Sequence, residues 1–253
     1  MKILVNKVSL NKILDKVSFS IRERDVIALL GSNGAGKSTI LNIILGLCKP
    51  TSGSVMYDKV NLGTVFQDNV LDNKLSVYKN LLYRIKNKND LERALNKIEN
   101  SGININLNYE NLSGGQKRIV NYFRVVATKP NCLILDELTA GIDFDMRKSI
   151  WSDISSYIKK SACGVVYTTH ILEEISHANK VIVIKSGKVT FFDTVEKFYE
   201  GMPRYKLVLA EQSKYFKTSK EAVEFLKKEN KLNNDFEIKK TTYSDLFANI
   251  KGN

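Results

Sequence analysis

The residue types and spacing that bind the phosphates of a nucleotide occur in one short segment: Gly31, Ser32, Asn33, Gly34, Ala35, Gly36, Lys37, Ser38 and Thr39. The segment follows the pattern G-x-x-x-x-G-K-[ST]. Glycines let such a loop curl until successive N–H groups point inward, and a following helix adds its positive N-terminal end. Lys37 can reach the β- and γ-phosphates, and the Ser38 hydroxyl can bind Mg²⁺. The segment therefore predicts a nucleoside triphosphate site.

The residues on either side of this loop predict the elements that position it. An apolar run at 26–30 is typical of a buried strand, and apolar residues spaced as on one helix face follow at Ile40, Leu41, Ile44 and Leu45. The alternative is a flexible Gly/Ser connector, but a connector needs neither the lysine nor the flanking strand and helix. The context favours the phosphate loop.

Two adjacent carboxylates follow a second apolar run. Residues 133–135 predict a strand that delivers Asp136 to the Mg²⁺ side of the site, directly or through water. Glu137 points to the opposite side and can polarise an attacking water. The alternative is a strand that ends in two solvated acids.

A second candidate anion site lies at Ser113, Gly114 and Gly115, where bare amides precede a predicted helix. One chain with a complete phosphate loop does not need two such sites. Two copies arranged head to tail would use both, each copy capping the other's γ-phosphate. The alternative is an ordinary helix cap and turn.

Composition sets the class of protein. The chain has 253 residues, 43% apolar and 26% charged, which is typical of one globular α/β domain with at most a small appendage. No apolar run reaches the roughly 18 residues that span a bilayer. The three cysteines are far apart without metal-binding spacing, as expected in a reducing compartment. The net charge of +12 is spread along the chain, which is typical of solvated charge; attraction to anionic lipid headgroups is the alternative, and the charge alone decides neither. No block of basic residues with interleaved aromatic residues stands out, and we expect no nucleic-acid partner.

Strands that alternate with helices predict an α/β fold with a mostly parallel sheet covered on both faces. We predict strands at 2–10, 17–21 and 54–57, forming an antiparallel N-terminal part, and helical structure from 71 to 109. The predicted division is an ATPase domain at 1–200, with a helical insert at about 71–111, and an α+β appendage at 201–253.

Six segments in this order resemble the motifs of the ATP-binding subunit of an ATP-binding-cassette (ABC) transporter, a P-loop NTPase with a RecA-like core. The resemblance extends over about residues 1–200. The segments are 31–39 (Walker A), Gln67 (Q-loop), 112–116 (the LSGGQ signature), 133–137 (Walker B and the catalytic glutamate), 140–143 (D-loop) and His170 (switch histidine).

This resemblance implies ATP with Mg²⁺ as the bound cofactors and assigns roles to single residues. Glu137 would be the general base, His170 would contact the γ-phosphate, and Gln67 would couple that phosphate to the helical insert. Ser38, Gln67 and Asp136 would lie at Mg²⁺. The nucleotide would also be contacted by residues of the signature and the D-loop, mostly from a second chain: Ser113, Gly114, Gly115, Gln116 and Asp143.

Two positions depart from the family pattern. The aromatic residue that usually stacks on adenine is missing from residues 7–10, where Val8 is the apolar residue available in its place. Leu138 stands where a proline usually follows the catalytic glutamate. Neither departure touches the phosphate chemistry.

The resemblance also implies two kinds of partner: a second ATPase chain, with which this chain would form a homodimer, and separate transmembrane subunits. The transmembrane subunits would hold this chain at the cytoplasmic face of the cell membrane. Residues 242–252 resemble the closing segment of bacterial drug, peptide and lantibiotic-immunity exporters, so we expect export. Two alternatives share some of these motifs. One is a soluble ABC ATPase of the iron–sulfur assembly type, and the other is a nucleotide-gated binding module.

Overall fold

A computed structural model describes residues 1–66, 71–209, 212–231 and 235–241. The chain divides into two compact units, Met1–Phe192 and Asp193–Asn253. The helix Val195–Glu200 groups with the second unit, whereas the sequence-based division lies after residue 200.

Within the described residues the strands are β1 (Lys2–Leu10), β2 (Leu14–Arg22), β3 (Val26–Leu30), β4 (Ser52–Asp58), β5 (Leu62–Val65), β6 (Cys132–Asp136), β7 (Gly164–Thr168), β8 (Lys180–Lys185), β9 (Lys188–Thr194), β10 (Tyr205–Leu209), β11 (Gln212–Phe216) and β12 (Phe236–Lys240). The helices are α1 (Lys37–Ile44), α2 (Val77–Leu82), α3 (Lys88–Asn100), α4 (Gly114–Val126), α5 (Phe144–Ser161), α6 (Val195–Glu200) and α7 (Ser219–Lys228), with 3₁₀ turns at Tyr109–Asn111 and Leu172–His177. None of the helices in these ranges is long and apolar enough to cross a membrane.

The central sheet of the first unit has the strand order β5-β6-β7-β3-β8-β9. The pairs β5-β6, β6-β7, β7-β3 and β3-β8 are parallel, so the carboxyl ends of these strands lie at one edge of the sheet. Strands β3 and β7 are buried along their whole length, as expected for a parallel sheet covered on both faces. The predicted parallel core is confirmed.

A second sheet, with the order β2-β1-β4, is antiparallel. Along β2 the buried positions are mostly alternate ones, because successive side chains of a strand point to opposite faces. Val17, Phe19 and Ile21 enter the same core as Ile40 and Ile44 of α1. The predicted antiparallel N-terminal part is therefore confirmed, and it packs beside the phosphate loop's helix.

The helical insert is less continuous than the pattern from 71 to 109 predicts. Helix α2 ends at Leu82, and α3 begins only at Lys88, where Asn87 caps its first turn by accepting a hydrogen bond from the Asp90 N–H. Most residues of the predicted apolar faces are buried in both helices, including Leu81, Leu95 and Ile98, but Leu82 is 42% exposed. The periodicity identified the buried faces apart from Leu82, and it did not show that the helix is interrupted between Leu82 and Lys88.

The second unit contains a small sheet with the order β11-β10-β12, and α7 packs on it through Leu207, Ala222 and Leu226. Strand β11 was missed by the sequence analysis because its first half, Gln-Ser-Lys, is polar. As an edge strand it pairs with β10 alone, which tolerates such residues. The closing segment at 242–252 lies outside the described residues.

The cysteines provide a test of the core. Burial raises the pKa of the Cys132 thiol and of the Cys163 thiol to about 12, whereas Cys48 is only half-buried. A protonated thiol is a poor nucleophile, so both buried cysteines should resist alkylation at neutral pH. We expect iodoacetamide to modify Cys48 alone in the folded chain and all three after unfolding, as read by mass spectrometry. Fast modification of Cys132 before unfolding would contradict the buried position of β6.

Candidate nucleotide-binding site

The phosphate loop runs from the carboxyl end of β3 to the first turn of α1. Two of its glycines are required by close packing. A Cβ atom on Gly31 would lie 2.4 Å from the Ile184 carbonyl oxygen, and one on Gly36 would lie 2.6 Å from the Leu14 side chain. Gly36 also has a φ of 105°, which L side chains rarely adopt. Gly34, in contrast, faces open space.

Lys37 lies inside this loop. Its ammonium donates hydrogen bonds to the carbonyl oxygens of Gly31 (2.9 Å) and Ser32 (3.0 Å), and the residue is 8% exposed. Ser38 follows on the exposed side of the first turn of α1. The loop therefore combines three features that suit the phosphates of a nucleotide. These are a buried positive charge, a glycine that faces open space, and a helix start without a side-chain cap.

The two carboxylates lie at the same sheet edge as the loop. Asp136 ends β6 and pairs in register with Thr168 at the end of β7, and Thr168 is also in register with Leu29 of β3. The Thr168 hydroxyl donates to Asp136 Oδ1 at 2.5 Å and accepts from the Glu137 N–H at 2.9 Å. One buried hydroxyl thus fixes both acidic residues. This role of Thr168 was not predicted from the sequence, because a threonine at the end of a strand belongs to no recognised motif.

Glu137 leaves the strand in the left-handed backbone region, with a φ of 50°. Non-glycine residues pay about 1–2 kcal/mol for this conformation, and such backbone strain is found at functional sites. The turn brings Glu137 Oε1 to 3.0 Å from Nε2 of His170. Two residues that are 33 positions apart in the chain and were singled out separately thus form one pair.

Ser113 is the N-cap of α4. Its hydroxyl accepts from the Gln116 N–H, and the Gln116 side chain accepts from the Ser113 N–H, which is a capping box. A Cβ on Gly115 would lie 3.2 Å from the Ile142 side chain, whereas Gly114 faces open space. Ser113 and Gln116 therefore form the helix cap that the sequence offers as the alternative to an anion site. The nucleotide-contacting role of these residues stays a prediction.

The predicted D-loop also has a local structural role. Asp143 is the N-cap of α5, and its carboxylate accepts from the Met146 N–H at 2.9 Å. Arg118 of α4 donates to the Ala140 carbonyl oxygen, which ties the signature helix to this loop. Gln67, the predicted Q-loop residue, lies outside the described residues.

Val8 does not provide an apolar surface for the nucleobase, and that expectation is wrong. The side chain is 0% exposed and belongs to the core between the antiparallel sheet and α1. Val8 pairs in register with Val17, which is also a core position, so both side chains point to the same inward face of the sheet. Ile13, which lies beside Gly36 at the turn between β1 and β2, is the exposed apolar residue nearby, at 44%.

The acidic residues fit a metal ion that arrives with a nucleotide. Within the described ranges no group of three His, Cys, Asp or Glu is arranged to hold a metal. Mg²⁺ in phosphate sites takes only one or two protein ligands, and phosphate oxygens and water supply the rest. Ser38 and Asp136 are donors of this kind.

A parallel sheet whose edge carries a glycine-rich loop, a buried lysine and an acidic strand end defines a P-loop nucleotide-binding protein. The family model described as "ABC transporter" matches residues 14–140. The chain therefore belongs to the ABC transporter family and has the fold of its ATP-binding cassette.

Curated relatives include import ATP-binding proteins. A spermidine/putrescine import ATP-binding protein, PotA of Mycoplasma capricolum, is 31% identical over 208 residues; the match covers 74% of this chain but only 58% of that relative. The xylose/arabinose import ATP-binding protein XylG of Sulfolobus acidocaldarius is 31% identical, over 78% of this chain and 90% of the relative.

Solved structures share the fold. The structure of cbiO1 from Clostridium perfringens, described as part of the ABC transporter complex cbiONQ, is 27% identical with a TM-score of 0.67, over 79% of this chain and 90% of its own. The dimeric bacterial ABC transporter cassette MJ0796 is 25% identical with a TM-score of 0.68, over 77% of this chain and 99% of its own.

Proposed function

We propose that this chain is the ATP-hydrolysing subunit of an ABC transporter and that it drives separate membrane-embedded subunits. The observation that carries the proposal is the contact of Glu137 with His170 at the sheet edge where the phosphate loop also lies. A base and a γ-phosphate partner within 3.0 Å of one another are suited to hydrolysis, not to nucleotide binding alone.

Glu137 accepts the proton of the attacking water. His170 Nε2 contacts Glu137 Oε1 in the structure, and its N–H would turn to the γ-phosphate when the nucleotide is bound. Lys37 stabilises the negative charge that spreads over the phosphate oxygens as the bond breaks. Thr168 keeps Asp136 and the Glu137 backbone in register. Ser38 and Asp136 would hold Mg²⁺, which would supply positive charge against the phosphates. Gln67, the third residue predicted at Mg²⁺, lies outside the described residues.

The chain works as a head-to-tail dimer in this proposal. The starts of α4 and of α5 lie beside each other, since Gly115 packs against Ile142. This face exposes Ser113 and Gly114, and it also exposes 73% of Phe144. A second copy would cover Phe144 while its phosphate loop places a nucleotide at Ser113. The dimeric cassette MJ0796 supports a dimer.

Membrane subunits are proposed as separate chains, with this chain at the cytoplasmic face of the membrane. cbiO1, which is described as part of a transporter complex, supports this proposal. The direction of transport has two candidates. Residues 242–252 favour export, but they lie outside the described residues, and the relatives named above are import proteins.

The test is affinity purification of the Glu137→Gln variant from detergent-solubilised membranes with ATP present. We expect a multi-span membrane protein to co-purify, and its own family then assigns export or import. Glu173→Gln, an exposed glutamate three residues beyond His170, is the matched control and should release the partner after turnover. Recovery from the soluble fraction with scaffold proteins would favour the iron–sulfur assembly type instead. Recovery with nucleic acid would favour a nucleotide-gated binding module.

Weak discrimination between ATP and GTP is expected of this site. Residues 7–10 contain no aromatic side chain and Val8 is buried, so most binding free energy comes from the phosphates. The dissociation constants should differ by less than about tenfold, or roughly 1.4 kcal/mol. Competition against a fluorescent ATP analogue measures the ratio. A preference for ATP well beyond tenfold would contradict the prediction and would point to a base contact elsewhere in the chain.

A further inference from the structure

A buried carboxylate outside the predicted motifs lies at the centre of a hydrogen-bond cluster. Glu174, in the 3₁₀ turn Leu172–His177, is 2% exposed. Its Oε1 accepts from the Thr139 hydroxyl and, at 3.1 Å, from the Trp151 indole N–H. Its Oε2 accepts from the Thr169 hydroxyl at 2.5 Å. We call Glu174, Thr139 and Thr169 the carboxylate bridge.

The bridge joins the two segments that carry the catalytic pair. Thr139 lies two residues after Glu137, and Thr169 directly precedes His170. Both threonines are 4% exposed, so neither hydroxyl can turn to water instead. Each oxygen of the Glu174 carboxylate therefore holds one of the two backbone segments. The contact between Glu137 and His170 connects the same two segments a second time.

A purely structural role would not require a charge at this place. Burying a carboxylate is costly unless donors surround it. Here Arg147 Nε forms an ion pair with Oε1 at 3.9 Å, which is beyond hydrogen-bond distance, and Arg147 Nη2 donates to the Ile142 carbonyl oxygen, so the donors within hydrogen-bond distance come from Thr139, Thr169 and Trp151. Charged acceptors make stronger and shorter hydrogen bonds than neutral ones. The arrangement gives rigid spacing between two loops, which a neutral side chain would hold less firmly.

We propose that Glu174 is a positioning residue that sets the distance between Glu137 and His170 by holding Thr139 and Thr169. This inference rests on the proposed ATPase function. Glu174 contacts neither catalytic side chain in the described hydrogen bonds, so it acts through the two backbone segments. Thr168 fixes Asp136 and the Glu137 backbone from the side of β7, whereas the carboxylate bridge joins the segments of Glu137 and His170 from outside the sheet.

The test uses Thr139→Val, Thr169→Val and the double variant, because Glu174→Ala would leave several buried donors unpaired and endanger folding. Valine keeps the shape of threonine and removes one arm of the bridge. We expect each single variant to lower kcat about tenfold to 100-fold through misplacement of the pair. The KM for ATP should change by less than about twofold, since the phosphate loop is untouched.

The double variant distinguishes a bridge from two local effects. When one arm is gone, the two segments are already uncoupled, so we expect the double variant to have nearly the kcat of a single variant. If the fold-losses in kcat of the two single variants multiply in the double variant, the proposal is overturned. It is also overturned if both single variants have the kcat of the unmodified chain. Tyr157→Phe, which removes a hydrogen bond from α5 to the Pro130 carbonyl oxygen, is the control for lost stability and should keep its kcat.

A second measurement does not depend on turnover. The chain has two histidines, so the ring resonances of His170 can be assigned by NMR from their loss in His170→Ala. We expect Thr139→Val to shift these resonances, while circular dichroism shows that the fold is retained. Unchanged His170 resonances would overturn the coupling. Absence of ATP hydrolysis by the unmodified chain would instead overturn the proposed function, and the resonances would still decide on the bridge.

Discussion

Replacing Glu137 with glutamine should reduce kcat for ATP hydrolysis by about 10²–10⁴-fold while ATP binding remains intact. The amide has the shape of the carboxylate and can still hydrogen-bond His170, now 3.0 Å from Oε1, but it cannot accept a proton from water. The nucleotide then stays between two chains, because the step that would separate them is blocked. Phosphate release measures the rate, and size-exclusion chromatography with ATP measures the trapped dimer.

The control for this prediction is Glu173→Gln, which makes the same chemical change at an exposed position close to His170. It should hydrolyse ATP at the rate of the unmodified chain and dissociate after turnover. An unchanged rate in Glu137→Gln would refute the assignment of the base. A slow rate without a stable dimer would keep the base and refute the head-to-tail arrangement.

Much of the site could be predicted because its signals are local. Residues 31–39 need only a preceding strand and a following helix, and both are visible as apolar patterns. Asp136 and His170 could be placed near the loop because the carboxyl ends of parallel strands share one edge. Such arguments need no knowledge of which strands are neighbours.

The features that were missed depend on tertiary neighbours. Val8 looks like any apolar strand residue, and only its register with Val17 shows that it belongs to the core. Thr168 and Glu174 are ordinary residue types whose importance lies in what they contact, at sequence separations of about 30 residues. The left-handed turn at Glu137 likewise follows from the contacts on both of its sides, since glutamate has no preference for that conformation.

The network around the catalytic pair also explains how the chain tolerates Leu138 at a position where the family usually has proline. A proline at 138 would push the backbone of Glu137 toward the extended region. Here Glu137 has a φ of 50° instead, Leu138 is buried, the Glu137 N–H is held by Thr168, and Thr139 is held by Glu174. Side-chain hydrogen bonds on both sides thus hold a left-handed turn that a proline at 138 would disfavour.

Replacing Lys37 with alanine should weaken ATP binding by about 100-fold or more. Hydrogen bonds to charged groups contribute about 1.5–3 kcal/mol each, and the ammonium is placed to contact two phosphates. A loss of roughly 3 kcal/mol corresponds to about a 100-fold larger dissociation constant. Isothermal titration with ATP measures the change directly. ATP should then no longer raise the melting temperature, because ligand stabilisation depends on the ratio of ligand concentration to the dissociation constant.

Two further variants separate the charge of Lys37 from its packing. Lys37→Met keeps the aliphatic stem that is buried in the loop, so it should restore any lost stability but not the binding of ATP. Lys49→Ala removes an exposed lysine just beyond the other end of α1 and should bind ATP normally. Without the ammonium, the carbonyl oxygens of Gly31 and Ser32 lose a hydrogen-bond donor, which costs about 1–3 kcal/mol of stability, and circular dichroism checks that each variant stays folded. Normal ATP affinity in both Lys37 variants would mean that the phosphates bind elsewhere, and the glycine-rich loop would then be a structural turn.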